Sequence, residues 1–125
     1  MIVGSIKENT TLEKRVSLTP ESAKNIIGLG LKVCIEKEYA LHLGIDDTEY
    51  KDIGVEVKAS AKEVSSLSNL ITKVNCPLED EINILKENSI LIGMLNPFKN
   101  KNQIDKNIDK KIKPFSLELL PRITR

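Results

Sequence analysis

Arginine is scarce in this chain: three of its nineteen basic residues, against sixteen lysines. There is no tryptophan, aromatic residues make up 3% of the sequence, histidine occurs once and cysteine twice. Each shortage excludes something. Few aromatics leave no stacking platform for bases or single strands. A net charge of +1 provides no basic field, so nucleic acid is not an expected partner. A lone His42 cannot build a metal triad or a relay of imidazoles, and it reads as a structural residue in a polar connection. Cys34 and Cys76 have neither CxxC spacing nor a histidine partner, and they read as buried reduced thiols. No apolar run reaches the roughly eighteen residues of a membrane span. The N-terminus Met1-Ile2-Val3-Gly4-Ser5-Ile6-Lys7 becomes charged too soon for a signal peptide. A cytoplasmic location is the expectation.

What is present is an aliphatic pattern in which strand and helix signals alternate. Ile2–Ile6 reads as a first strand. Thr19-Pro20 gives an N-cap with proline at the first helical position, and Ala23, Ile26 and Ile27 share one face of the helix. Gly28 and Gly30 stop it before a second strand at Leu31–Glu36. A short helix near Asp47–Ile53 and a brief strand at Val55–Val57 follow. Ser60-Ala61-Lys62-Glu63 is a capping box. Leu70–Val74 reads as a third main strand, and Leu78, Ile82 and Leu85 space out a helix. Ser89–Leu95 is an apolar strand of the kind covered on both faces. The stretch Lys99–Lys110 is a thin amphipathic helix carrying Ile104 and Ile108, and Ile112–Leu119 is a fifth main strand. The pattern predicts an α/β fold: a doubly wound, mainly parallel sheet of about five strands flanked by helices, flavodoxin-like in arrangement.

Gly28-Leu29-Gly30 follows a helix and precedes a strand, the reverse of a dinucleotide fingerprint, and Val33 stands where a third glycine belongs. The chain therefore carries no phosphate-cradling loop of the usual kind. Against a background of lysine, each arginine is a candidate for bidentate recognition that lysine cannot perform. Arg15 lies in Glu13-Lys14-Arg15-Val16-Ser17-Leu18-Thr19-Pro20, and Arg122 and Arg125 lie in Leu120-Pro121-Arg122-Ile123-Thr124-Arg125. Lys73 falls near the carboxyl end of its strand, where a parallel sheet opens its ligand crevice. Lys7 and Arg15, after the first strand, are expected on the same edge. Two readings remain open there: a cationic cluster that fixes a carboxylate, or unrelated surface charges.

Lys7-Glu8, Glu13, Arg15-Val16 and Leu18-Thr19-Pro20-Glu21, in that spacing, resemble the N-terminal signature of alanine dehydrogenases and of the α subunits of proton-translocating NAD(P) transhydrogenases. Asn69 departs from an aspartate common just before the third strand, while Lys73-Val74 and Pro77-Leu78 keep step. The closing Leu120–Arg125 is similar to the transhydrogenase branch. Alanine dehydrogenases carry a catalytic histidine just after the strand that here is Ser89–Leu95; this chain has Asn96-Pro97, which points to the same branch.

The resemblance implies a component of an enzyme that transfers hydride from NADH to NADP⁺ and couples it to proton translocation. It implies residues 1–125 as the leading part of the N-terminal domain, with the NAD-binding Rossmann domain absent. Arg122, with Ile123 and Thr124, would meet NAD(H), and no residue of this chain is expected to be catalytic. Arg15 and Lys73 would be the remnant of an oxo-acid pocket. NADP would sit on a partner subunit or domain. The implied partners are the remainder of the α subunit, a second α subunit in a homodimer, and the membrane and NADP-binding subunits, which would hold the chain at the inner membrane periphery. A stand-alone docking module without catalysis and an alanine dehydrogenase-like fragment are the alternative readings.

Overall fold

The computed structural model describes residues 1–9, 11, 13–96 and 99–116. The expected alternation is realised. Strand β1 (Ile2–Ser5) is followed, after residues 6–19, by helix α1 (Pro20–Gly28) and strand β2 (Lys32–Glu36). A 3₁₀ turn at Leu41–Leu43 and helix α2 (Asp47–Lys51) lead to β3 (Glu56–Lys58). Next come α3 (Ala61–Leu67), β4 (Leu70–Asn75), α4 (Glu79–Asn83), β5 (Ile90–Met94), α5 (Lys101–Asp109) and β6 (Lys113–Ser116).

Local chemistry sets these boundaries. The Thr19 hydroxyl accepts from the Ser22 amide at 3.2 Å and the Ser22 hydroxyl accepts from the Thr19 amide at 2.9 Å, closing a reciprocal box at the start of α1. At its end Gly30 takes φ +92°, a backbone conformation that favours glycine. The glycine pair is thus a helix stop. The Ser60 hydroxyl accepts from the Glu63 amide and caps α3. Asn69 ties down the start of β1: its carboxamide oxygen accepts from the Ile2 amide at 2.9 Å.

The six described strands form one sheet in the order β3-β2-β1-β4-β5-β6, and every neighbouring pair is parallel. The count is six rather than about five, because the brief strand joins the sheet beyond β2. The five longer strands keep the flavodoxin-like order. Val3, Val33 and Ile35 face a core with Ala23 of α1 and Tyr50 of α2. Ile71, Leu91 and Cys34 face the opposite core with Val64 of α3 and Leu85, and Ile104 of α5 packs against it. Tyr39 and Tyr50, both fully buried, meet edge to face with centroids 5.8 Å apart, worth about 0.5–1.5 kcal/mol beyond their burial.

From β1 the chain winds outward through β2 and β3, then crosses back to β4. The crevice of a doubly wound sheet opens at such a reversal, outside the carboxyl ends of the two central strands. Here those ends bring together the segment that follows Ser5 and the segment Thr72–Asn75.

Candidate functional site at the carboxyl ends of β1 and β4

Glu8 and Lys73 meet at the reversal point. Glu8 leaves β1 just past Ile6 and turns its carboxylate under the end of β4. There Oε2 accepts from the Val74 amide at 3.1 Å and Oε1 from the Asn75 amide at 3.2 Å. The pairing of β4 with β5 shifts register between Thr72 and Asn75, and the two successive amides that bind the carboxylate lie at this irregularity. Lys73 Nζ lies 3.8 Å from Glu8 Oε1 and 2.9 Å from Glu81 Oε2. The Lys73 and Glu8 side chains are 4% and 1% exposed, so this is a buried charge group. Removing one partner of a buried pair costs about 3–5 kcal/mol, because the other charge is left uncompensated.

Glu81 reaches Lys73 from α4 while its other oxygen accepts from the Leu78 amide at 2.9 Å, which fixes the start of that helix. Two carboxylates surround one ammonium. Burial pushes the Glu8 carboxyl above its ordinary pKa, against the opposing pull of Lys73 and the two amides. The Cys76 thiol beside them is pushed up to about 11 by burial, so it is protonated and unreactive near neutrality. Glu8, Asn9, Lys73, Asn75, Cys76, Leu78 and Glu81 line a small pocket of about 70 Å³. Asn75 and Cys76 are shared with a second cleft of about 330 Å³, completed by Met94, Asn96, Lys99 and Asn100 at the carboxyl end of β5.

A knot of hydroxyls holds Ser17 and Leu18, just before α1, against the sheet. Ser5 Oγ lies 2.6 Å from Tyr39 Oη and 2.7 Å from Ser17 Oγ, and it donates to the Thr72 carbonyl at 2.9 Å. Tyr39 Oη also accepts from the Ser17 and Leu18 amides at 3.1 and 3.2 Å. Ser17 Oγ reaches Thr72 Oγ1 at 2.9 Å. Arg15 is carried on this anchored segment, yet its own side chain is 71% exposed. Its Nε donates to Glu13 Oε1 at 2.7 Å. That bond holds the Glu13 carboxyl below its ordinary pKa, and Glu13, with a smaller contribution from Glu8, raises that of Arg15.

Lys7, Arg15 and Lys73 therefore do not form a free cationic cluster. Arg15 is paired with Glu13, and Lys73 lies between Glu8 and Glu81. Lys7 faces a separate cleft of about 290 Å³ with Glu38, Leu41 and His42. His42 donates from Nε2 to the Lys14 carbonyl at 2.8 Å. Among the described residues, no group of three His, Cys, Asp or Glu is placed to hold a metal. Nor is any helix among them long and apolar enough to cross a membrane. Arg122, Ile123 and Thr124 lie outside the described residues.

Residues 4–125 match the family described as Alanine dehydrogenase/PNT, N-terminal domain. The chain belongs to that family. It is 30% identical to NAD(P) transhydrogenase subunit alpha of Haemophilus influenzae, a match covering 100% of this chain and 24% of the relative. It is 36% identical to alanine dehydrogenase of Methanococcus maripaludis, over 94% of this chain and 32% of that one. The transhydrogenase structure from Sinorhizobium meliloti superposes with a TM-score of 0.92 at 31% identity, covering 99% of this chain and 37% of the other. The chain thus spans about a quarter to a third of the length of these relatives.

Family membership and the α/β fold were both legible in the spacing of the residues. The pairing of Lys73 was not. In sequence Glu81 is one of three consecutive acids, Glu79-Asp80-Glu81, and only the turn into α4 aims it back at Lys73. Glu8 was visible as part of a signature, but its partners, Val74 and Asn75, come from a strand far along the chain. The signal that could have found the group is two acids and a lysine placed at the carboxyl ends of adjacent strands.

Proposed function

We propose that this chain serves as the leading part of the N-terminal domain of a transhydrogenase α subunit and carries no chemistry of its own. The observation that carries the reading is that, among the described residues, no proton-handling group stands free beside Lys73. Amino-acid oxidation needs an acid–base group at the reacting carbon. His42, the one imidazole in the sequence, is tied to Lys14 beside a different cleft, and a carboxamide, Asn96, follows β5. Cys76 is held protonated and Lys73 is engaged by two carboxylates. On this reading Arg15 and Lys73 brace the domain and hold no oxo-acid substrate.

In the whole protein, hydride would pass between NADH and NADP⁺, with the coenzymes performing the redox step and the protein fixing their approach. A Rossmann-type domain elsewhere in the α subunit would hold NAD(H), and Arg122, with Ile123 and Thr124, would reach it from this domain. NADP would belong to a partner subunit or domain. A second α subunit and the membrane subunits would complete the assembly, keeping this domain at the cytoplasmic face of the inner membrane, where proton translocation is coupled to hydride transfer.

A domain exchange tests the proposal. Residues 1–125 would replace the corresponding segment of the Haemophilus influenzae transhydrogenase α subunit and, separately, of the Methanococcus maripaludis alanine dehydrogenase. Hydride transfer from NADH to an NADP⁺ analogue should survive in the first chimera, assayed with its partner subunits. Alanine-dependent NAD⁺ reduction should be lost in a folded second chimera. Alanine oxidation by the second with no transfer by the first would reverse the assignment.

A further inference from the structure

We propose that the carboxyl end of β4 is a carboxylate-binding hole that this chain fills with its own Glu8. Small monocarboxylates of the formate and acetate class take that place once the Glu8 side chain is shortened. The inference rests on the geometry of the hole and stands independently of the transhydrogenase reading.

Two donors and a nearby charge define the hole: the Val74 amide, the Asn75 amide and, 3.8 Å from Oε1, the Lys73 ammonium. The first two converge because the strand irregularity turns consecutive N–H groups to one side, the arrangement by which a backbone binds an anion. Each oxygen of Glu8 accepts from one amide, and Oε1 also faces the ammonium, as a planar, ionised carboxylate would. The side chain is 1% exposed, so this is a filled interior site and not a surface ion pair.

The charges set the selectivity. With Glu8 and Glu81 both facing Lys73, a second anion entering the intact site would meet an excess of negative charge. Shortening Glu8 leaves Lys73 paired with Glu81 and leaves the buried Val74 amide and the part-buried Asn75 amide without their acceptors, a cost that an incoming acceptor relieves. The adjoining space is about 70 Å³, small for anything larger than a two-carbon acid until the Glu8 side chain is gone.

Thermal unfolding of the full chain tests this, comparing wild type, Glu8→Ala and Glu8→Gln in sodium formate or acetate against sodium chloride at equal ionic strength. Glu8→Ala should melt lower than wild type and recover saturably. The rise should be about 5 °C when formate is tenfold over its Kd, with chloride inert. Wild type and Glu8→Gln, whose holes are filled by their own side chains, should not respond beyond chloride. A wild-type midpoint that climbs equally with formate means the hole is open, and the proposal fails. It fails equally if folded Glu8→Ala ignores both acids. Should Glu8→Ala be unfolded in chloride, formate should restore its circular dichroism and cooperative melt; a chain that stays unfolded in saturating formate and acetate also overturns the proposal.

Discussion

At position 8, burial and hydrogen bonding pull in opposite directions. Two amides and an ammonium favour the ionised carboxyl, while removal from water and the nearby Glu81 disfavour it, and burial is the largest effect. A carboxyl whose pKa is raised in the folded state holds its proton there over an interval in which the unfolded chain has released it. Stability attributable to Glu8 is therefore fully present below its ordinary pKa of 4.5 and declines as pH climbs through the raised value. Glu13 has the opposite sign: its pKa is lowered by Arg15, so its contribution is present above 4.5 and disappears on acidification through the folded value. Comparison with Glu8→Gln cancels Glu13 and isolates the buried group. Urea unfolding at a series of pH values should show the wild-type advantage over Glu8→Gln shrinking from pH 4.5 upward. An advantage that widens with pH would mean that the amides and Lys73 outweigh burial, and that the folded-state pKa is lowered instead of raised.

Among the elements, β4 and β5 pair through a slip in register between Thr72 and Asn75. Gly93 of β5 lies opposite that slip: a Cβ added there would sit 2.3 Å from the Lys73 carbonyl oxygen. The obstruction is main chain, so it cannot rotate aside as a side chain could. Gly93→Ala should destabilise by about 1–3 kcal/mol, the range of overpacked cores, and should disturb the Lys73–Glu8–Glu81 group as β4 moves away. Gly28→Ala is the matched control. No atom lies within 4 Å of its added Cβ, its φ is not positive, and alanine in a helix should gain about 0.5–1 kcal/mol. Equilibrium denaturation of both variants checks the contrast; equal midpoints would mean that close approach at Gly93 does not shape the site. The elements themselves were legible where local chemistry marks them, as at Thr19-Pro20, Ser60–Glu63 and Gly30. The slip in β4 was not, since Leu70–Val74 reads as continuous strand and the register shift shows only in the pairing with β5.

For the whole molecule, the same crevice bears on coenzyme binding. A dinucleotide fold brings a helix N-terminus to the carboxyl end of its first strand through a glycine-rich turn, and the pyrophosphate rests on the exposed amides. Here residues 6–19 separate β1 from α1, and the Ser5–Ser17–Tyr39–Thr72 hydroxyls pin Ser17 at the sheet edge. The amides at the end of β4 are already satisfied by Glu8, and Glu81 adds a second negative charge to the same pocket. A pyrophosphate would find neither a helix terminus after β1 nor a net positive field there. Topology of the nucleotide-binding kind was legible from strand–helix alternation, whereas the filling of its crevice depends on side chains that only the fold brings together. The isolated chain should accordingly bind NADH more weakly than about 1 mM. Titration calorimetry should give no saturable heat at micromolar coenzyme, and Glu8→Gln, which removes one of the negative charges while its carboxamide still fills the space in front of the amides, should not rescue binding. Saturation in the micromolar range would show that the domain holds coenzyme without a second lobe, and the proposed division of labour within the α subunit would have to be abandoned.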